Sequence, residues 1–112
     1  MDKEKDDRYY AEKILHYIEV AISCGKRVNF SNPEENEEGI FAINFCLIEI
    51  REYAQKLSPQ FKKADFPISI DDLALFRNTL THDYGNVDFS MYRNIVKKDL
   101  PQIERALKDY LR

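Results

Sequence analysis

The stretch that decides the fold is IFAINFCLIEIREYAQKL, which spans residues Ile40–Leu57. Apolar residues recur in it every three or four positions, which is the spacing of one face of an α-helix. The residues of this first stripe are Ile40, Ile43, Leu47, Ile50, Ala54 and Leu57. A second stripe beside it contains Phe41, Phe45 and Ile48. The apolar arc is wider than one neighbouring helix needs, so we expect this helix to contact both its own core and a second subunit.

Four further segments show helical periodicity around this one. Their predicted ranges are near 6–24, from 69 or 71 to about 81, 89–98, and 100–112. Gly25 is predicted to end the first helix in the left-handed conformation. Asp99-Leu100-Pro101 is predicted to be a break between the last two helices and a restart with Pro101 in the first turn. Asn32 and Asn36 are both candidate N-terminal caps of the helix that ends at about Leu57.

The composition agrees with one all-α domain over residues 1–112. The chain is 44% apolar and 33% charged and has only three Gly and four Pro, too few for the turns of a β-sandwich or barrel. We expect an antiparallel bundle of four or five helices. The net charge of −3 argues against a protein that wraps duplex DNA, so any contact with nucleic acid must be local.

The sequence also indicates a compartment. Cys24 and Cys46 stand alone in apolar helical contexts and are interpreted as buried free thiols in a reducing environment. No apolar run approaches the length of a membrane span, and the charged N-terminus is unlike a signal peptide. These features predict a soluble cytoplasmic protein.

The residues with chemical potential cluster in LALFRNTLTHDYGNVD, residues Leu73–Asp88. His82 can exchange protons near neutral pH, and the guanidinium of Arg77 suits a phosphate group. Asn78 precedes His82 by one helical turn, and Tyr84 adds a hydroxyl. This combination suggests chemistry on a phosphate ester without a metal, and no metal-ligand spacing is found in the sequence.

A structural interpretation of the same residues stands beside the chemical one. A cation near the C-terminus of a helix is stabilising in itself, Arg77 could pair with a nearby aspartate, and Tyr84 could belong to the core. His16, the other histidine, is interpreted as structural.

The motif carries a specific resemblance. Arg77-Asn78-Thr79-Leu80-Thr81-His82-Asp83-Tyr84 resembles the R-x-x-x-x-H-x-Y signature of the HepT-like toxins of the HEPN superfamily. The segments 47–54 and 97–103 are similar to two further segments of that family. The chain departs from the pattern at Arg51, where Gly is usual, and at Tyr53, which is inserted before Ala54.

This resemblance implies a HEPN-like helical fold and a homodimeric, metal-independent endoribonuclease without a cofactor. It implies that His82 is the general base or acid and that Arg77 binds the scissile phosphate of RNA. Asn78 would then position His82 or the RNA. The implied partner is an MNT-type nucleotidyltransferase, the antitoxin of a type VII HepT/MNT toxin–antitoxin system, which attaches adenylate groups to Tyr84.

Two alternatives remain open at the level of sequence. One is a non-catalytic helical adaptor that binds a nucleotidyltransferase or a nucleotide, and the other is a dimerisation bundle with a decayed motif. Clustering of basic residues would favour the enzyme over the adaptor. These residues are Lys62, Lys63, Arg77, Arg93, Lys97 and Lys98. Arg77 and His82 are five positions apart and diverge by about 140° on an ideal helix, so one copy is expected to supply only half a site.

Overall fold

The structure is a computed structural model that describes residues 5–63 and 89–112, and all regular structure in these residues is helical. The predicted all-α class is confirmed. The α-helices are α1 (Asp7–Gly25), α2 (Glu37–Ala54), α3 (Pro59–Lys63), α4 (Phe89–Asn94) and α5 (Leu100–Leu111). A 3₁₀ turn at Pro33–Asn36 precedes α2, and a π-helical turn at Ile95–Asp99 joins α4 to α5. The helix predicted from 69 or 71 to 81 lies outside the described residues.

Helices α1 and α2 form an antiparallel pair. The ring of Tyr10 near the start of α1 lies 6.3 Å from that of Tyr53 near the end of α2, whereas Tyr17 further along α1 reaches back to Phe45 at 6.1 Å. The first apolar stripe of α2 faces inward as predicted, because its members are almost fully buried. Burial of each such side chain contributes about 1.5–3 kcal/mol before the entropy of ordering the chain is subtracted.

The C-terminal helical segment, residues 89–111, packs antiparallel against α1. Its end is near the start of α1, where Arg8 donates a hydrogen bond of 2.9 Å to the carbonyl oxygen of Leu111. Its beginning is near the end of α1, where Val96 lies against Gly25. The fully buried hydroxyl of Tyr92 donates to the carbonyl oxygen of Ile40 at 3.2 Å, which ties the same segment to α2.

Gly25 does not have the role that the sequence predicts. It is the last residue of α1 rather than a left-handed residue beyond it, and none of the described residues has a positive φ. The glycine is needed because a Cβ atom at this position would overlap Cγ1 of Val96. Close approach of two helical segments, and not backbone conformation, therefore explains this residue.

The predicted break and restart at Asp99-Leu100-Pro101 is confirmed in one respect and wrong in another. An α-helix does start at Leu100 with Pro101 in its first turn, but the residues before it remain helical. The chain stays helical from Phe89 to Leu111, and the π-helical turn at Ile95–Asp99 stands where the break is predicted. Proline has no N–H to donate, and its ring clashes with the carbonyl four residues earlier in an α-helix. The N–H of Leu100 instead reaches back five residues to the carbonyl of Ile95, and this wider turn accommodates Pro101.

Side chains cap both long helices. Asp6 accepts a hydrogen bond from the N–H of Tyr9 at 3.0 Å, close to the predicted start of helix one. Of the two candidate caps for α2, Asn36 is the one used, since its Oδ1 accepts from the N–H of Gly39 at 3.0 Å. Asn32 instead bonds to the side chain of Glu35 and precedes the 3₁₀ turn.

Both cysteines of the chain lie in the described helices. Cys24 and Cys46 are buried and unlinked, in agreement with the sequence prediction. Burial raises the pKa of the Cys46 thiol to about 11, so this group is protonated at neutral pH.

Among the described residues, no helix combines the length and the apolar character that crossing a bilayer requires.

The contact at Gly25 generates a prediction about stability. Replacing a helical Gly by Ala normally stabilises a protein by about 0.5–1 kcal/mol. We expect Gly25→Ala to lower the free energy of unfolding by about 1–2 kcal/mol instead, because overpacking against Val96 outweighs that gain. Urea denaturation of the two proteins measures the difference.

The matched control is the double variant Gly25→Ala/Val96→Ala. Its loss of stability should be smaller than the sum of the two single losses, since removing the valine methyl groups makes room for the new Cβ. A Gly25→Ala protein at least as stable as the parent would show that the helices do not need this close approach.

Candidate functional site

The four predicted site residues, Arg77, Asn78, His82 and Tyr84, lie outside the described residues. Their roles therefore stay predictions from the sequence. What the structure gives is the scaffold on either side of them, because the chain leaves the described part after Lys63 and returns at Phe89.

Both flanks of the motif segment are anchored in the core. On the N-terminal side, Ser58 accepts from the N–H of Phe61 at 3.2 Å and binds the carboxylate of Asp7 through its own N–H at 2.8 Å. The buried ring of Phe61 lies edge-on to Tyr110, with centroids 4.7 Å apart. On the C-terminal side, the ring of Phe89 lies 5.9 Å from that of the buried Tyr92. The described residues on either side of 64–88 are thereby tied to α1, to α5 and to the buried Tyr92.

In the predicted basic strip, the structure describes the side chains of Arg93, Lys97 and Lys98, and these three differ in their contacts. Arg93 and Lys98 are exposed on the outer side of the helical segment 89–111. Lys97 has a different role, since its Nζ donates to the carbonyl oxygen of Gly25 at 3.0 Å and lies 5.9 Å from the centre of the Phe30 ring. Lys97 therefore caps the negative end of α1. The side chains of Lys62, Lys63 and Arg77 are outside the described part.

His16 is exposed on α1 beside the ring of Tyr17, at a centroid distance of 5.0 Å. It borders a shallow groove that also contains Glu19, Ser23 and Arg27. Within this groove, the guanidinium of Arg27 donates weakly to the sulfur of Cys24, at 3.7 Å. No group of His, Cys, Asp or Glu side chains in residues 5–63 and 89–112 is arranged to hold a metal ion.

The second apolar stripe of α2 is largely on the surface. The side chains of Phe41 and Phe45 each retain 55% of their accessible area, and Ile48 is half-buried. Phe45 continues into a row of rings, because Tyr17 contacts it edge-on and stacks on Tyr53 at 6.1 Å and 18°. The expectation that α2 has apolar surface beyond the needs of its own core is confirmed within the described chain.

Comparison with known proteins decides the family. A family model described as "Ribonuclease HepT-like" matches residues 14–110, which include most of both described parts and the motif between them. The chain belongs to the HepT-like ribonuclease family. The resemblance seen in the motif is thereby confirmed for nearly the whole chain.

Two relatives support the same family at low identity and nearly full length. A protein named "Putative RNase" from Caldanaerobacter subterraneus subsp. tengcongensis is 25% identical over 107 residues, which cover 96% of each chain. Another protein with that name, from Methanocaldococcus jannaschii, is 23% identical over 109 residues, covering 97% of this chain and 90% of its own. No solved structure matches the chain significantly.

In this member of the HepT-like family, the described helices lie on both sides of the motif in the sequence. Helices α1 and α5 contact the described residues that precede residue 64, and the exposed basic residues of segment 89–111 follow residue 88 in the chain. The sequence could indicate Arg93 and Lys98 as candidates by charge alone. It could not separate Lys97 from them, because its partner, the carbonyl of Gly25, is 72 positions away.

Proposed function

We propose that this chain is the toxin of a type VII HepT/MNT toxin–antitoxin system and acts as a metal-independent endoribonuclease. The observation that carries the proposal is the family match over residues 14–110, since it spans an R-x-x-x-x-H-x-Y motif in which every signature residue is present. The names of the relatives are consistent with RNA as the substrate.

The chemistry follows from the motif side chains. His82 removes the proton of a ribose 2′-hydroxyl, and the 2′-oxygen attacks the adjacent phosphorus. The bond from phosphorus to the 5′-oxygen of the next nucleotide breaks, and that oxygen takes up a proton, which the protonated His82 of one of the two subunits supplies. The products are a 2′,3′-cyclic phosphate and a 5′-hydroxyl. Arg77 neutralises the charge that develops on the phosphate oxygens, and Asn78 positions His82 or the RNA. The 2′-hydroxyl restricts the reaction to RNA.

The proposed active form is a homodimer. Arg77 and His82 diverge by about 140° on an ideal helix, so the motifs of two subunits together make a more complete site than one. The surface of α2 supports a two-fold contact because Phe45 is 55% exposed near the middle of the helix. An antiparallel pairing of two α2 helices would also bring the acidic start, with Glu37 and Glu38, towards Lys56 at the end of the other copy.

The proposed antitoxin is an MNT-type nucleotidyltransferase that adenylylates Tyr84. Tyr84 follows His82 by two residues. Adenylate groups at this position would add negative charge beside the histidine and exclude the phosphates of RNA from the site.

The first test is His82→Ala. We expect it to abolish RNA cleavage and growth arrest while the far-UV circular dichroism is unchanged, because the proton acceptor is lost and the scaffold is not. His16→Ala is the matched control and should cleave RNA like the parent, in buffer with or without EDTA. A His82→Ala protein that still cleaves RNA, or a parent that stops cleaving in EDTA, would disprove the proposed mechanism.

The second test concerns the dimer. Phe45→Glu should convert a dimer to a monomer in analytical ultracentrifugation, because it places two carboxylates opposite each other at a two-fold contact. Tyr110→Glu makes the same change of charge at an exposed aromatic residue of α5 and should stay dimeric. A dimeric Phe45→Glu protein would exclude this face as the interface.

The third test concerns neutralisation. Co-expression with the nucleotidyltransferase partner and ATP should increase the mass of the chain by one or more adenylate groups, which peptide mass spectrometry should locate on Tyr84. Tyr84→Phe should show no such increase and should stay toxic in the presence of the partner. A neutralised parent with unmodified Tyr84 would mean that the antitoxin acts by binding alone.

A further inference from the structure

We propose that exposed cations at the end of α1 and on the helical segment 89–111 form one basic surface, which binds the phosphate backbone of the RNA substrate. This inference rests on the proposed ribonuclease function, and it deepens that function by assigning substrate contacts outside the motif. The surface is defined by Lys26, Arg27, Arg93, Lys98 and Arg105, and we call it the basic surface.

The local charge differs in sign from that of the whole chain. Residues 89–112 contain six Lys and Arg against three Asp and Glu, although the net charge of the protein is −3. Two of the three acidic residues are already neutralised. Glu104 binds Lys108 at 3.6 Å, and Asp109 binds Arg112 at 2.7 Å. Asp99 is the third and is half-buried.

Folding adds two further cations to this segment. The bond between Lys97 and the carbonyl of Gly25 fixes the end of α1 against the π-helical turn, and Lys26 and Arg27 directly follow that glycine. Both are exposed. Residues that are about seventy positions apart in sequence therefore contribute to one surface.

The side chains of the basic surface are available to a ligand. Lys26, Arg27, Arg93, Lys98 and Arg105 are all exposed. Among residues 5–63 and 89–112, none of these five forms an ion pair within 4 Å. Arg27 donates only to a sulfur atom, at 3.7 Å, which is a weak interaction.

One side of the basic surface has a clear limit. The side chain of Asn36 donates to the carbonyl oxygen of Arg27 at 3.4 Å, so the acidic turn that contains Glu34, Glu35, Glu37 and Glu38 lies next to the end of α1. These carboxylates repel phosphate. RNA is therefore directed along segment 89–111, on the side away from this turn.

The chemistry of the surface favours a polyphosphate chain over a single anion. The cations are spread along a helical segment, with Arg93 and Lys98 about one turn apart and Arg105 about two turns further. Arg and Lys side chains at such spacing suit successive phosphates of a flexible strand. Arg93 also follows His82 by eleven residues, so a strand bound here is close in the chain to the proposed reactive motif.

The test measures binding separately from cleavage. The probe is a fluorescein-labelled, single-stranded 2′-O-methyl RNA of twenty nucleotides, which cannot be cut by attack of a 2′-hydroxyl. Fluorescence anisotropy at several NaCl concentrations gives Kd and its dependence on salt. The test variant is Arg93→Ala/Lys98→Ala, which leaves the helix cap by Lys97 intact. The matched control is Lys5→Ala/Lys13→Ala, which removes two exposed positive charges near the start of α1.

We expect the test variant to weaken binding on the order of tenfold at low salt, because two phosphate contacts are lost. Its slope of log K against log[salt] should become shallower by about 1.4, since each contact with single-stranded RNA contributes about 0.7. With cleavable RNA, its KM should rise while kcat is unchanged. The control variant should match the parent in all of these quantities.

The outcomes are distinct. If the test variant binds RNA as tightly as the control, the basic surface is not the RNA track, even when the parent cleaves RNA through His82. If it binds RNA normally but fails to bind the nucleotidyltransferase antitoxin, the surface is a protein-docking site and the proposal is wrong. If the parent binds and cleaves no RNA, the proposed function itself fails.

Discussion

The arrangement of the described bundle depends on one contact, the approach of Val96 to Gly25. A side chain at residue 25 would push the C-terminal segment away from α1. With glycine there, Lys97 reaches the last turn of α1 and donates to the Gly25 carbonyl at 3.0 Å. The same approach allows Tyr92 to bury its ring and to satisfy its hydroxyl on α2. Protein interiors are packed to crystal-like density, so one missing Cβ can decide how two helices meet.

The described C-terminal segment departs from a regular α-helix at the π-helical turn beside this contact. Pro101 cannot continue an α-helix without losing a hydrogen bond and meeting a carbonyl. The π-helical turn at Ile95–Asp99 absorbs that constraint while leaving Ile95 and Val96 buried. A single long helical segment therefore runs along α1 and holds one flank of the motif. The other flank is held by α3, through Ser58 on Asp7 and Phe61 on Tyr110.

Much of the scaffold could be predicted because it depends on local rules. Helical periodicity predicts which side of α2 is buried, and the excess stripe predicts that Phe41 and Phe45 are exposed. Side-chain caps are local as well, so Asp6 and Asn36 could be anticipated near the ends of their helices. Gly25 was interpreted with an equally local rule, and that interpretation is wrong because Val96, which is far from it in sequence, packs against it. Pro101 does lie in the first turn of an α-helix, but a π-helical turn precedes that helix instead of a break.

The sequence by itself determined the all-α class, the inward face of α2 and a motif specific enough to indicate the family. These follow from the order of residue types along one chain, which needs no knowledge of what packs on what. Only the tertiary structure decided that Lys97 binds the carbonyl of Gly25, whereas Arg93 and Lys98 form no ion pair with the other described residues. The physical reason is distance along the chain. A contact between residues 25 and 97 leaves no periodic signal in either segment, because it exists only once both helices have packed.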